Sequence, residues 1–380
     1  MRIKVGMVGA GAFAQSFIPL FKAHPLVEEV VLCDLDADKL RRASERHGIA
    51  RTCPSLDELC GIRVDAAVLI TQPWLHAAQA AQALRAGKHV YCAVPIGSTL
   101  DEVAGVVRAV EETGRIYMTG ETSYYYPETI YCRQQYARGA FGHVVYGEAE
   151  YYHDWDHGLY DVARWRGGDR WREFAGQPPM MYPTHSTSMV ISVTGARMTH
   201  VSGQGIADQA DDGIYRADAN RWGNVFSDES ALFRMSDGST SRINEFRRIG
   251  HPGTVRLSLF GTEGTFERHW TGAAWLTKDR AKCVRLDDLL ECREGGFAAV
   301  HPIDRLPTEF EGLPNSHSGS HQFLVDDFVR ACAEGTQPPN HVWAAARYAI
   351  PGIVAHDSAM RGGELLAVPD LGPGPDGRSQ

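Results

Sequence analysis

Gly9-Ala10-Gly11-Ala12-Phe13-Ala14 is a GxGxxA sequence that follows a short apolar run, Lys4 to Val8, and opens an amphipathic stretch. In that context the spacing describes a dinucleotide cradle. Gly9 permits the tight turn, Gly11 lets backbone N–H groups approach a pyrophosphate, and Ala14 allows close packing of helix on strand. The phosphates then sit at the positive end of a helix dipole. Asp34 ends the second apolar run, where a carboxylate accepts from a ribose 2′-hydroxyl and repels the 2′-phosphate of NADP. NAD is therefore the expected cofactor, held by Gly9, Gly11, Ala12, Phe13 and Asp34, with Thr71 and Pro95 at the ends of later strands. A helix N-cap is the alternative reading of Asp34.

Further along, the 380-residue chain is rich in aromatic and imidazole side chains: 8 Trp, 14 Tyr, 14 Phe and 16 His. The Trp, Tyr and His residues concentrate between residues 121 and 185, where acid/base chemistry around a small ring could be built. His153, Asp154, Asp156 and His157 cluster there, but neighbouring residues on a strand point to opposite faces and no HExxH or Cys/His spacing occurs. No metal is expected. His317-Ser318-Gly319-Ser320-His321 is a second His pair that could place one imidazole near a cleft.

These residues need elements to hold them. Strands are expected at Lys4 to Val8, Val30 to Cys33, Ala66 to Thr71, His89 to Cys92 and Ile116 to Thr119. Helices alternate with them at Phe13 to Ala23, Ala37 to His47, His76 to Ala86 and Leu100 to Thr113. That alternation reads as βαβ units around a parallel sheet, hence a Rossmann domain over 1–120. A helical stretch at Thr122 to Arg138 follows. Consecutive strand candidates then run at Val144 to His153, Met198 to Gly203, Glu229 to Met235, Ser239 to Phe246 and Thr254 to Phe260, with Asp237-Gly238 and Glu263-Gly264 as turns. The fold class expected is α/β, an N-terminal Rossmann domain plus an α+β domain with a large, mostly antiparallel open sheet over 121–340. Residues 341–380 are expected as a helical segment packing on the Rossmann domain, then a loose tail from Pro369.

Composition excludes several function classes. The net charge of −9, from 38 Lys plus Arg against 47 Asp plus Glu, lacks the basic excess that nucleic acid demands. No run of about 18 apolar residues could span a membrane. The eight cysteines form no CxxC pair, and the N-terminus has no signal-peptide h-region, so a cytoplasmic protein with buried thiols is expected.

The glycine fingerprint, "AGKHVYCAVPIG" at 86–97 and "EYYHD" at 150–154 together resemble the Gfo/Idh/MocA oxidoreductases over nearly the whole chain. The resemblance implies a Rossmann domain followed by an open-sheet domain that often mediates oligomers, so a homo-oligomer is expected. Typical members carry Glu-Lys-Pro after the fourth strand, the Lys serving as an acid/base group. Here that segment is Ala93-Val94-Pro95. Tyr182-Pro183-Thr184-His185, after a Trp/Arg-rich stretch, is similar to the NAD-dependent glycosidases of the same superfamily, typified by α-N-acetylgalactosaminidases, which also replace that Lys. The chain departs from their pattern at Ser186, where Gly is usual, and at Thr122, where Asn is usual.

The resemblance implies a redox-neutral cleavage of a carbohydrate glycoside. A hydride leaves sugar C3 for NAD⁺, the resulting ketone acidifies the C2 proton, and the C1 leaving group is eliminated; water adds and the hydride returns. Such enzymes are an exception to the two-carboxylate scheme of glycoside hydrolysis. Tyr182 and His185 are expected near the oxidised hydroxyl and C2, His153 and Tyr151 at the leaving group and water, and Glu121 orienting substrate or a His. The Trp and Tyr residues between 151 and 182 would stack on the sugar. Two alternatives stand: a sugar or polyol dehydrogenase using His185 in place of the Lys, and a non-catalytic dinucleotide sensor.

Overall fold

The computed structural model describes residues 1–293 and 295–374. The chain divides into two units: one holds Met1–Pro127 and Leu289–Ala346, the other Glu128–Asp288 and Arg347–Asp370.

In the first unit six strands form a wholly parallel sheet: β1 (Ile3–Val8), β2 (Val27–Cys33), β3 (Thr52–Cys53), β4 (Ala66–Leu69), β5 (His89–Cys92) and β6 (Tyr117–Thr119). Their order, β3-β2-β1-β4-β5-β6, reverses direction between β1 and β4, the switch point at which such sheets bind ligands. Every residue of β4 is buried, as strands covered on both faces require. The helices start and stop where the sequence provides caps. Asp36 accepts from the backbone of Asp38 and Lys39 to open Ala37–His47, and Gly48 closes it at φ +59°. Thr99 and Gly114 bound Leu100–Thr113 in the same way.

Two expected helices are broken. Phe13–Ala23 becomes a 3-10 turn, Phe13–Ser16, and then the helix Ile18–Ala23 with Pro19 in its first turn. Thr122–Arg138 becomes a 3-10 turn, Thr122–Tyr125, and then the helix Pro127–Ala137; Pro127 suits a helix start because it has no N–H to leave unpaired.

The boundary expected at residue 340 also shifts. Residues from Leu289 to Ala346 group with the parallel sheet, because Phe328 of the helix Ser320–Glu334 packs on Phe21 and Tyr91. Most of the helix Val342–Met360, expected on the Rossmann domain, groups with the second unit instead. There the Tyr348 backbone carbonyl accepts from the Thr187 hydroxyl at 2.6 Å and His356 pairs with Glu229. Of the tail, residues 375–380 lie outside the described residues.

The second unit is built on a nine-stranded sheet: β7 (Val144–Tyr152), β8 (Met198–Ala207), β9 (Phe226–Met235), β10 (Thr240–Phe246), β11 (Thr254–Gly261), β12 (Gly264–His269), β13 (Gly272–Thr277), β14 (Val284–Arg285) and β15 (Leu366–Ala367). The order is β14-β13-β12-β11-β7-β10-β9-β8-β15, antiparallel except where β7 meets β10. The helix Thr184–Thr194 lies on one face, approaching β7 closely at Gly147, where a Cβ would stand 3.3 Å from Val190. The other face carries a charge ladder. Arg242 bridges Glu148 and the buried Glu150, and Arg256 and Asn244 also reach Glu150.

Candidate functional site

In the first unit the residues expected at the cofactor gather at the ends of β1, β2, β4 and β5. Gly9 leaves β1 at φ +98°, and a Cβ there would stand 2.2 Å from the Ile70 carbonyl oxygen. Only glycine fits. Ala14 is fully buried under this turn. The Asp34 carboxylate accepts from Ala10 N at 2.7 Å and Asp36 N at 2.9 Å. It braces the loop, and the cap of the following helix is Asp36, so the alternative reading of Asp34 as that cap does not hold. His76, which sequence reasoning passed over, is buried and joins the other two strand ends: Nδ1 lies 2.8 Å from the Pro95 carbonyl oxygen and Nε2 3.3 Å from that of Thr71. The Val94–Pro95 bond is cis. A tight glycine turn at the switch point, flanked by a carboxylate just past β2, suits a dinucleotide.

Glu121 also lies in the first unit, fully buried, with Oε1 accepting from the Ser123 amide at 2.9 Å and hydroxyl at 2.7 Å. It caps the turn Thr122–Tyr125. Tyr125 is a packing residue held by Asp327 and Arg305.

The Tyr and His set lies in the second unit, where sheet register assembles it. Tyr151 on β7 pairs with Glu245 on β10, which pairs with Glu229 on β9. Directly opposed residues share a face, so the three stand in one row. His153 follows β7, and its Nδ1 lies 2.8 Å from the Tyr151 hydroxyl. His185, in the first turn of Thr184–Thr194, meets the Tyr151 ring edge-on at 5.3 Å and the Tyr182 ring at 5.5 Å. Tyr182 follows the turn Pro179–Met181. Glu229 fixes that turn by accepting from Met180 N at 2.7 Å while pairing with His356 at 2.7 Å.

Beneath the phenols lies a buried ion pair not foreseen from the sequence. The Arg247 guanidinium stands 4.7 Å from the Tyr151 ring centroid and donates to Glu245 at 3.1 Å. Ser186 donates to the other Glu245 oxygen at 2.6 Å. Burial pushes the Glu245 pKa up to about 7, although Arg247, Ser186 and His185 all pull against it. Burial, and then the charge of Arg247, hold His153 down to about 4, so its imidazole is neutral at physiological pH. The one signal in the sequence is a Glu at an inward position, in phase with Ile243 on β10.

The expected sugar-stacking tryptophans are corrected. Trp155 and Trp171 are buried against Ile214 and Tyr215 in a small core of their own, and Trp165 alone of the three is half-exposed. Asp154 is occupied by Asp156 N and Ile249 N. Among the described residues no group of three His, Cys, Asp or Glu could hold a metal, and no helix is long and apolar enough to cross a membrane.

The family profile described as "Oxidoreductase family, NAD-binding Rossmann fold" (Gfo/Idh/MocA) matches residues 3–121. Those residues are a Gfo/Idh/MocA NAD-binding domain. The chain is an NAD-dependent enzyme, and the relatives that align with nearly its full length carry the name glycosyl hydrolase. A glycosyl hydrolase family 109 protein of Streptomyces niveus is 26% identical over a gapped alignment of 392 positions, covering 97% of this chain and 77% of the relative. One of Saccharopolyspora erythraea is 25% identical, covering 97% and 83%. In fold the chain is similar to levoglucosan dehydrogenase solved with NADH and levoglucosan (TM-score 0.76, 18% identity, 97% and 100% covered). It is also similar to myo-inositol 2-dehydrogenase of Lactobacillus plantarum (TM-score 0.73, 18% identity, 97% and 100% covered). Ser186, one departure from the glycosidase pattern of this superfamily, has a structural reason in its bond to Glu245.

Proposed function

We propose that the protein is an NAD-dependent glycosidase that cleaves a carbohydrate glycoside without net oxidation. The observation that carries this reading is the Tyr151, His153, Tyr182 and His185 group standing over a buried Arg247–Glu245 pair. Held at the Gly9–Phe13 turn beside Asp34, bound NAD would supply the hydride acceptor for sugar C3 in its oxidised form and the hydride donor for the closing reduction in its reduced form.

The chain's own residues move the protons. Neutral His153 can accept a hydrogen bond from the Tyr151 hydroxyl, and the guanidinium against the ring favours negative charge building on the phenol oxygen. Tyr151 is thereby suited to take the C2 proton, a different part from the leaving-group role read from sequence. His185 takes the C3 hydroxyl proton as the hydride leaves while Tyr182 holds that oxygen; as Tyr151 takes the C2 proton its own passes to His153 and on to the departing C1 oxygen, and Glu121 has a positioning part. Val94 can exchange no proton, so the Tyr and His set carries that work. In a cytoplasmic setting the enzyme works as a homo-oligomer through the open face of its large sheet, where Leu232 and Ile206 are exposed beside the charge ladder.

A panel of chromogenic glycosides and free sugars, followed for aglycone release and 340 nm absorbance together, tests the reading. Aglycone release without net NADH is expected. Stoichiometric NADH from a free sugar would overturn it in favour of a dehydrogenase.

A further inference from the structure

Neither site described above uses the approach to the helix Ser320–Glu334. Buried polar atoms gather there without a hydrogen-bond partner among the described residues: Asn315 Nδ2, Ser320 Oγ and both ring nitrogens of His321. His321 is 0% exposed. Buried polar atoms are nearly always paired, so such a gathering asks for a missing partner.

The His321 ring is firmly placed. Its centroid lies 4.3 Å from that of Phe17, 4.8 Å from that of His317, and 5.5 Å from that of Phe13, which it meets edge-on. Burial, then the charge of His317, hold its pKa down to about 3, so it presents one N–H donor and one acceptor. His317 and Ser318 precede it at φ +49° and +52°, a conformation that non-glycine residues rarely adopt and that clusters at ligand sites. The His317 ring, itself exposed, stacks on His321. Phe13 belongs to the glycine turn, and the fifteen-residue helix directs its positive end at the same place.

We propose that His321 is a pyrophosphate-binding residue for the dinucleotide, its ring N–H and the Ser320 hydroxyl donating to a phosphate oxygen while Phe13 and His317 wall the site. The inference rests on the cofactor lying on the Gly9–Phe13 turn. The test titrates the full chain with NADH and with ADP-ribose, which keeps the pyrophosphate and lacks the nicotinamide. Binding is read by calorimetry and apo stability by melting temperature.

His321→Phe keeps the ring stack and removes both nitrogens. It is expected to weaken both ligands about tenfold, the loss of one charge-assisted hydrogen bond, with an apo melting temperature unchanged or raised. Unchanged affinities would overturn the proposal, and so would a loss confined to NADH, which would place the contact at the nicotinamide. If His321→Phe folds poorly, His321→Asn, which keeps a donor, should bind ADP-ribose more tightly than His321→Leu; equal weakness would overturn it. Wild-type protein that binds neither ligand would overturn the reading of the glycine turn itself, a separate outcome.

Discussion

Tyr151 and Glu245 face each other on the parallel strands β7 and β10, and Arg247 touches both: its guanidinium lies over the Tyr151 ring and donates to the Glu245 carboxylate. A cation shared between a phenol and a buried carboxylate links the proton chemistry of the site to the charge of the sheet beneath it.

Tyr151→Phe removes the proposed proton acceptor and keeps the ring under Arg247. Turnover should fall by about 10²- to 10⁴-fold, the usual value of one acid/base group, while the NADH dissociation constant stays within about twofold. Steady-state kinetics beside NADH titration reads both. A loss of NADH affinity matching the loss of turnover would contradict the assignment.

Glu245 gives the protein a pH signature. Its folded pKa, about 7, lies above the ordinary 4.5, so between those values the folded state holds a proton that the unfolded state has lost. Stability contributed in acid therefore drains away as pH rises from 4.5 towards 7, by a few kcal/mol at about 1.4 kcal/mol per unit. Glu245→Gln cannot ionise and should lose that slope. Urea denaturation of both proteins at several pH values measures the difference; parallel profiles would contradict it. His153, held at about 4 against 6.5, contributes the reverse slope, its stability lost as pH falls through that interval.

Ser186→Gly restores the residue usual in the glycosidase pattern and takes away one donor to a buried carboxylate. A cost of about 1–3 kcal/mol is expected, with the Glu245 pKa rising further because Ser186 lowers it. Chemical denaturation and the midpoint of the pH profile report the two effects. A more stable variant would show that the hydroxyl is dispensable.

Gly9→Ala tests the turn. At φ +98° and 2.2 Å from a carbonyl oxygen, the new Cβ has no room, so NADH binding should be lost by more than about tenfold, with about 1–3 kcal/mol of strain. Gly114→Ala is the control, also at positive φ but with nothing within 4 Å of the Cβ. It should cost about 1–2 kcal/mol and leave NADH binding intact. Equal binding losses in the two variants would contradict the role of Gly9.

The sequence showed the parallel sheet well because its signals are local. Ala37–His47, Leu100–Thr113 and His89–Cys92 lie where periodicity and caps place them. The hairpin β12–β13 escaped because its alternation is faint; Phe266 and Ala273 are its buried apolar residues, and Glu267 and Arg268 interrupt the run. The Tyr and His residues of the site were legible as residue types. Their partners Glu245, Arg247, Glu229 and His356 were not, because strand register and a distant helix bring them together. Nothing local in the sequence marks Trp155 and Trp171 as core, since their burial depends on Ile214 and Tyr215.

The central claim is cleavage through a C3 ketone with loss of the C2 proton. Turnover of an active glycoside in deuterium oxide, with the released sugar analysed by NMR, tests it most directly. Deuterium at C2 of the product is the result expected. Complete retention of the original C2 hydrogen, with the aglycone released at an undiminished rate, would contradict the account.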